Sequence, residues 1–272
     1  MAEILIWACP VCGRPLMETQ KSLICEKRHC FDKARSGYVN LLPVKQKHAK
    51  FPGDNPDMIR ARRDFLNRGY YQHLQSALCE GVKNHLPENG VLLDAGCGEG
   101  YYTKQIRETV ACECYGVDIS KTAADFAARS DKITHYAVGS VFHLPVHDQS
   151  CDMLVSVFAP YCGTEFLRVL KPGAYFIMVI PAGKHLWELK QAVYDKPYEN
   201  QVKDYPLEGF AFLEKISSEK QTFLDNQQDI QNLFQMTPYA YRTGASERER
   251  LQSLTSLTVQ TAFEILIYQK ER

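Results

Sequence analysis

No apolar run in the 272 residues approaches the roughly 18 that a membrane-crossing helix needs. The stretch AEILIWA near the start is too short, and it has neither the basic flank nor the cleavage site of a secretion signal. The chain is therefore expected to remain cytoplasmic, with no membrane partner. Net charge is also missing: 32 Lys+Arg balance 32 Asp+Glu, so the chain as a whole has no attraction for a polyanion. Internal repeats and low-complexity tracts are absent. Disulfides are rare in the cytosol, so the ten cysteines need another account. Some are expected as metal ligands and the rest as small buried hydrophobes. Cys112 and Cys114 fall in a predicted strand, where we expect them to leave on opposite faces as packing residues.

The charge that is balanced overall is uneven along the chain. Residues 1–70 hold 13 Lys+Arg against 7 Asp+Glu, a net of +6, which leaves 19 against 25, a net of −6, for the remainder. A basic front and an acidic rear could hold a polyanion on one side only.

Within that front, Cys9 and Cys12 form a Cys-x2-Cys pair, and Cys25, His29 and Cys30 follow after a short intervening stretch. Two close pairs separated by a hairpin-length segment fit a structural zinc site, whose thiolate and imidazole donors hold together a segment too small to build its own core. Five candidates compete for four positions. Spacing leaves the last place open between His29 and Cys30.

The chain divides into a knuckle over residues 1–40, a basic connector with two helices over 41–88, and a larger domain over 89–272. Asn55 offers an N-cap and Pro56 a first helical position, so DMIRARRDFLNR reads as a helix ending near Gly69. Its Arg60, Arg62, Arg63 and Arg68, with the connector KQKHAK, are candidate phosphate contacts. From residue 91, short Val/Ile-rich strands alternate with helical stretches, which means a doubly wound parallel α/β sheet. Two long strands, FAFLEKISSEKQTF and LTVQTAFEILIYQ, can add an antiparallel end.

LLDAGCGEGYY, residues 92–102, carries the strongest chemical signal. A strand ends at Asp94, and Gly96, Gly98 and Gly100 turn the backbone tightly into a helix at the sheet's carboxyl edge, where such folds bind nucleotides. A dinucleotide fingerprint would need glycine where Tyr101 stands, and a P-loop would need Gly-Lys-Ser/Thr. With acids at Asp94 and Glu99 and no phosphate-directed lysine, a cationic ligand fits better. Asp118 ends the next strand, placed to accept from a ribose diol.

This pattern resembles the class I S-adenosylmethionine-dependent methyltransferases, with LPVHDQSCDML similar to their third and fourth strands and FLRVLKPGAYFIMV to the following helix and strand. The resemblance implies a seven-stranded sheet with a reversed last strand, plus the small zinc-binding domain. CPVCGRPL, CEKRHCFDKARSGYVNLLPV, MIRARRDFLNRGYY, FAP, HLWELK and MTPYAYR occur in the same order in the bacterial 23S ribosomal RNA (guanine-N1-)-methyltransferases. That likeness spans nearly the whole chain. It implies zinc held by Cys9, Cys12, Cys25 and His29, with Cys30 left over. It also implies methyl-donor binding by Tyr71, Gly98, Glu99 and His185, a guanine in a 23S ribosomal RNA hairpin loop as target, and a homodimer. FAPYC would seat the base, framed by Pro160 and Tyr161, with Tyr239 to Tyr241 as a second aromatic group. The general base for N1 is not identified. Two other readings compete, a small-molecule methyltransferase of the quinone type and a non-catalytic RNA-binding factor.

Overall fold

Four short strands, β1 (Ile4–Ala8), β2 (Pro15–Glu18), β3 (Ser22–Cys25) and β4 (Cys30–Asp32), form an antiparallel meander at the start of the chain. The computed structural model describes residues 4–43, 53–202, 205–241 and 243–272. The connector KQKHAK lies outside the described residues.

The larger sheet is built from β5 (Val39–Asn40), β6 (Val91–Ala95), β7 (Glu113–Asp118), β8 (His135–Val138), β9 (Cys151–Val157), β10 (Leu170–Pro181), β11 (Phe210–Leu224) and β12 (Leu257–Lys270). Its order is β11-β12-β10-β9-β6-β7-β8-β5. The pairs from β10 across to β5 are parallel, and β12 runs antiparallel between β10 and β11. The seven expected strands with a reversed last one are therefore present, and β5 adds a two-residue eighth at the edge. Residues 144–150 do not supply the third parallel strand; His135–Val138 does, and LPVHDQ is the loop that leads into β9.

Helices α1 (Pro56–Asn67), α2 (Gln72–His85), α3 (Tyr101–Thr109), α4 (Lys121–Ser130), α5 (Gly163–Val169), α6 (Trp187–Val193), α7 (Gln227–Gln235) and α8 (Ala245–Ser253) cover the faces. Helix α1 starts as its sequence predicts: the Asn55 side chain accepts from the Asp57 and Met58 amides, and Pro56 needs no acceptor. Strands buried on both faces explain the near-continuous apolar runs of β9 and β10.

The expected divisions at residues 40 and 88 are bridged in space. Trp7 is 1% exposed and sits edge-on to Tyr115 of β7, centroids 5.2 Å apart. The Ala8 amide donates to Pro145 O and the His147 amide to Ile6 O, so β1 is stitched to the loop before β9. Helix α2 packs against the sheet, with Leu74, Leu78 and Val82 fully buried.

A further expectation fails. Cys112 and Cys114 do not diverge; their sulfurs lie 3.3 Å apart. In a strand, residues two apart share a face, and it is Glu113 that leaves on the other.

Candidate active site and metal centre

Three thiols and one imidazole converge where the turn after Cys9 meets the turn between β3 and β4. The ligand atoms of Cys9, Cys12, Cys25 and His29 all lie within 4.8 Å of one another. His29 Nδ1 is 3.5 Å from Cys9 Sγ and 3.4 Å from Cys25 Sγ, and Cys12 and Cys25 sulfurs are 3.8 Å apart. Zinc bonds of about 2.3 Å to sulfur and 2.0–2.1 Å to nitrogen set tetrahedral edges of roughly 3.5–3.8 Å, which these three distances match. The backbone is bent to suit: Gly13 takes φ +71° as its amide returns to Cys9 O, and Arg28 takes φ +64° as its amide returns to Cys25 O.

Strand alternation decides the fourth ligand. Cys30 pairs across the sheet with Ile24, so the two share a face. Ile24 precedes Cys25, so Cys25 points the opposite way. Cys30 is exposed and outside the cluster.

The second site lies at the carboxyl edge of the large sheet. Between β6 and α3, Gly96, Gly98 and Gly100 adopt φ of +88°, +56° and +82°. A Cβ on Gly96 would sit 2.3 Å from Ala159 Cβ, and one on Gly100 would be 2.9 Å from both Ala127 Cβ and Tyr136 Oη. Asp118 pins this loop: its Oδ2 accepts the Gly98 amide at 3.0 Å and its Oδ1 the Ser120 amide at 2.8 Å. Each oxygen keeps a lone pair for a further donor.

Asp94 and Glu99 are buried with unspent acceptors. Asp94 Oδ2 accepts the Thr103 hydroxyl at 2.5 Å, while Asp94 Oδ1 and Glu99 Oε2 have no partner among the described residues. Burial pushes the Asp94 carboxyl up to about 7. Burial does the same to Glu99, also to about 7, against the pull of Arg62. Asp118 is raised by burial too, opposed by its two amide bonds. A buried acid with an unpaired oxygen is costly, and a cation or hydrogen-bond donor would relieve it.

Tyr71 and His185, 114 positions apart, close the other side. Tyr71 Oη is 3.4 Å from His185 Nε2, and His185 Nδ1 accepts the Ala262 amide at 3.2 Å. That bond puts the imidazole proton on Nε2. Burial drives His185 down to about 3, so the ring is neutral at physiological pH. Phe263 fills the angle between them, its centroid 4.5 Å from His185 and 4.8 Å from Tyr71.

Two residues here take places that the sequence reading did not give them. Arg62, grouped with the phosphate contacts on α1, instead turns into this cleft and pairs with Asp54 at 2.5 Å. A helical wheel over α1 would have shown it beside the buried Ile59 and Phe65. Phe158 follows β9 with φ +56° and is 46% exposed, its ring 5.4 Å from Phe263. Tyr161, expected to frame a base, packs its ring against Phe166 and Phe176 and stays 37% exposed.

The raised carboxyls give a pH dependence whose sign can be worked out. Protonated Asp94 and Glu99 stabilise the empty fold, fully below their ordinary values of 3.8 and 4.5 and progressively less as pH rises through about 7. A cationic ligand favours the ionised forms. Its affinity should therefore rise between about pH 6 and 8, with proton uptake by the buffer. Calorimetry in two buffers of different ionisation enthalpy reads this directly. A flat affinity profile would show that neither carboxyl responds to the ligand.

Comparison with known proteins matches segments of the chain that include the cysteine cluster and the glycine loop. The family model described as "RlmA, N-terminal" matches residues 7–50, and "Methyltransferase domain" matches residues 93–178. A Bacillus subtilis (strain 168) protein named as a 23S rRNA (guanine-N(1)-)-methyltransferase is 31% identical, over 98% of this chain and 98% of its own length. A similarly named Micromonospora griseorubida protein is 36% identical over 66% of this chain and 67% of its own. A Streptomyces fradiae 23S rRNA (guanine(748)-N(1))-methyltransferase is 36% identical over 68% and 66%. With a match along its full length, a zinc-dimensioned cluster and a methyltransferase sheet, the chain belongs to the 23S rRNA (guanine-N(1)-)-methyltransferase family.

Proposed function

We propose that this chain moves a methyl group from S-adenosylmethionine to N1 of a guanine in a hairpin loop of 23S ribosomal RNA, in the cytoplasm and as a homodimer. Residues 1–40 are the zinc-held module, 41–88 the connector and helices, and 89–272 the transfer domain. The observation that carries the reading is the cleft of unspent carboxylate oxygens around a glycine loop, which suits a cationic, ribose-bearing ligand. Tyr71, Asp94, Gly96, Gly98, Glu99, Gly100, Asp118 and His185 form the donor site. Asp118 accepts from the ribose hydroxyls, the glycines let the backbone approach, and the neutral His185 with Tyr71 walls the cleft.

The bound donor supplies an electrophilic methyl on a sulfonium. Guanine N1 loses its proton and takes that methyl in line, and the electron pair of the broken C–S bond stays on sulfur. Holding both reactants in that line supplies most of the rate. Loop bases are cheap to unstack, and the exposed Phe158 beside the glycine loop offers a face for one.

The test uses labelled S-adenosylmethionine with 23S ribosomal RNA lacking the modification, and separately with small quinones. Label on guanine N1 is expected. Label on the quinone alone would replace the reading with a small-molecule methyltransferase, and donor binding with no transfer would leave an RNA-binding factor. Light scattering reads the dimer.

The basic front is less bare than its sequence. Arg60, Arg63 and Arg68 each pair with a carboxylate, of Asp57, Asp64 and Asp229. An open cleft of about 750 Å³ between α1, α3 and α4, lined by Arg63, Arg68, Lys104 and Arg129, still offers cations beside Glu99. Replacing Arg60 and Arg63 with alanine should weaken RNA binding and reduce its salt slope by up to about 2, one per lost phosphate contact. An unchanged slope would make both a solvated face.

A further inference from the structure

Arg62 brings a guanidinium to the acidic glycine loop at the sheet edge. Helix α1 buries Met58, Ile59, Ala61, Phe65 and Leu66, and Arg62 follows that buried side into the sheet edge, its side chain 26% exposed. Nη2 donates to Asp54 Oδ2 at 2.5 Å and to Met236 O at 3.5 Å. Nη1 faces the glycine loop, 3.9 Å from where a Cβ on Gly98 would stand. Among the described residues, Nε and Nη1 find no acceptor. Its charge is felt by Glu99, Asp118, Tyr71 and Tyr102, which places it centrally in the cleft.

The donor carries three charges, a sulfonium, an ammonium and a carboxylate. Asp94, Glu99 and Asp118 suit the first two and the ribose, and each would repel the third. Lys190, whose charge also reaches this cleft at His185, is committed to Tyr198 O at 2.9 Å and Asn200 Oδ1 at 2.8 Å. Among the described cations, Arg62 combines a position over the glycine loop with an unspent Nη1, and a charge-assisted bond from a guanidinium to a carboxylate is short and strong.

We infer that Arg62 is a specificity residue that holds the amino-acid carboxylate of S-adenosylmethionine through Nη1, while Asp54 and Met236 O fix Nη2. This rests on the donor site proposed above. Met236 lies just beyond α7, so the same guanidinium ties the segment before α1 to α7 across the cleft mouth. A purely structural tie is thus the competing role, and the two separate by ligand.

Calorimetry on the full, zinc-loaded chain should compare S-adenosylmethionine with its decarboxylated form. The wild type should prefer the intact donor by roughly 10- to 100-fold, the worth of a charge-assisted pair. Arg62→Ala should lose that factor for the intact donor and hold or gain affinity for the decarboxylated one, whose two positive charges, with no carboxylate beside them, no longer face a guanidinium. Arg62→Lys, which keeps the charge but not the planar guanidinium that reaches Asp54 and the glycine loop together, should fall between. Equal losses for both ligands would overturn the inference and leave a structural tie. So would a wild type that binds both ligands equally. A wild type that binds neither ligand would remove the donor site itself, and the inference with it. Should Arg62→Ala fail to fold, the wild-type preference and the Arg62→Lys values still decide.

Discussion

Zinc is expected to leave with His29→Ala and to stay with Cys30→Ser. The two side chains are neighbours in sequence, yet only the His29 imidazole lies within 3.5 Å of two cluster sulfurs. Elemental analysis should fall from one zinc per chain towards none in His29→Ala and remain at one in Cys30→Ser. The consequence should exceed the module itself. A four-stranded meander of three- to five-residue strands has little core of its own, and structural zinc contributes roughly 10–16 kcal/mol in small zinc-held peptides. Because Trp7 and the Ala8 amide anchor β1 to the large sheet, loss of the metal should also lower the melting temperature of the whole chain and open residues 9–30 to protease. Full zinc in His29→Ala with loss in Cys30→Ser would reverse the ligand assignment.

Gly96→Ala should be the most damaging single methyl in the glycine loop. It carries two penalties. A left-handed φ of +88° costs an alanine about 1–2 kcal/mol, and its Cβ would stand 2.3 Å from Ala159 Cβ, an overlap that costs typically 1–3 kcal/mol more. The sum, about 2–5 kcal/mol, is a large part of the stability of an ordinary domain. Gly98→Ala is the control, because its Cβ would meet only Arg62 Nη1 at 3.9 Å and the backbone term alone remains. Urea titration should place Gly96→Ala well below Gly98→Ala, and donor affinity should follow the same order. Equal midpoints would show that the loop and the Phe158–Ala159 turn move apart without cost.

How much of this was legible follows from the range of the interactions. The parallel strands, the glycine loop ending β6 and the N-cap at Asn55 are local, each written within about a dozen residues. Local too are Cys9, Cys12 and Cys25, whose spacing is that of a zinc knuckle. The strand pair at 112–114 was also local, and it was misread: alternation of faces puts Cys112 with Cys114, not against it.

What the sequence by itself determined is therefore the class of the sheet, the presence of a metal module and the identity of the acidic glycine loop. Each is set by periodicity and backbone constraint, which act between near neighbours. Only the tertiary structure decided the rest. Register between β3 and β4 chose His29 over Cys30, because pairing with Ile24 turns Cys30 away. The meeting of Tyr71 with His185 across 114 residues depends on how α2 and the turn after β10 pack against β12. Arg62 turns from the expected RNA face to the cleft at the glycine loop because burying Ile59 and Phe65 fixes the rotation of α1, and charge along a sequence carries no record of that rotation.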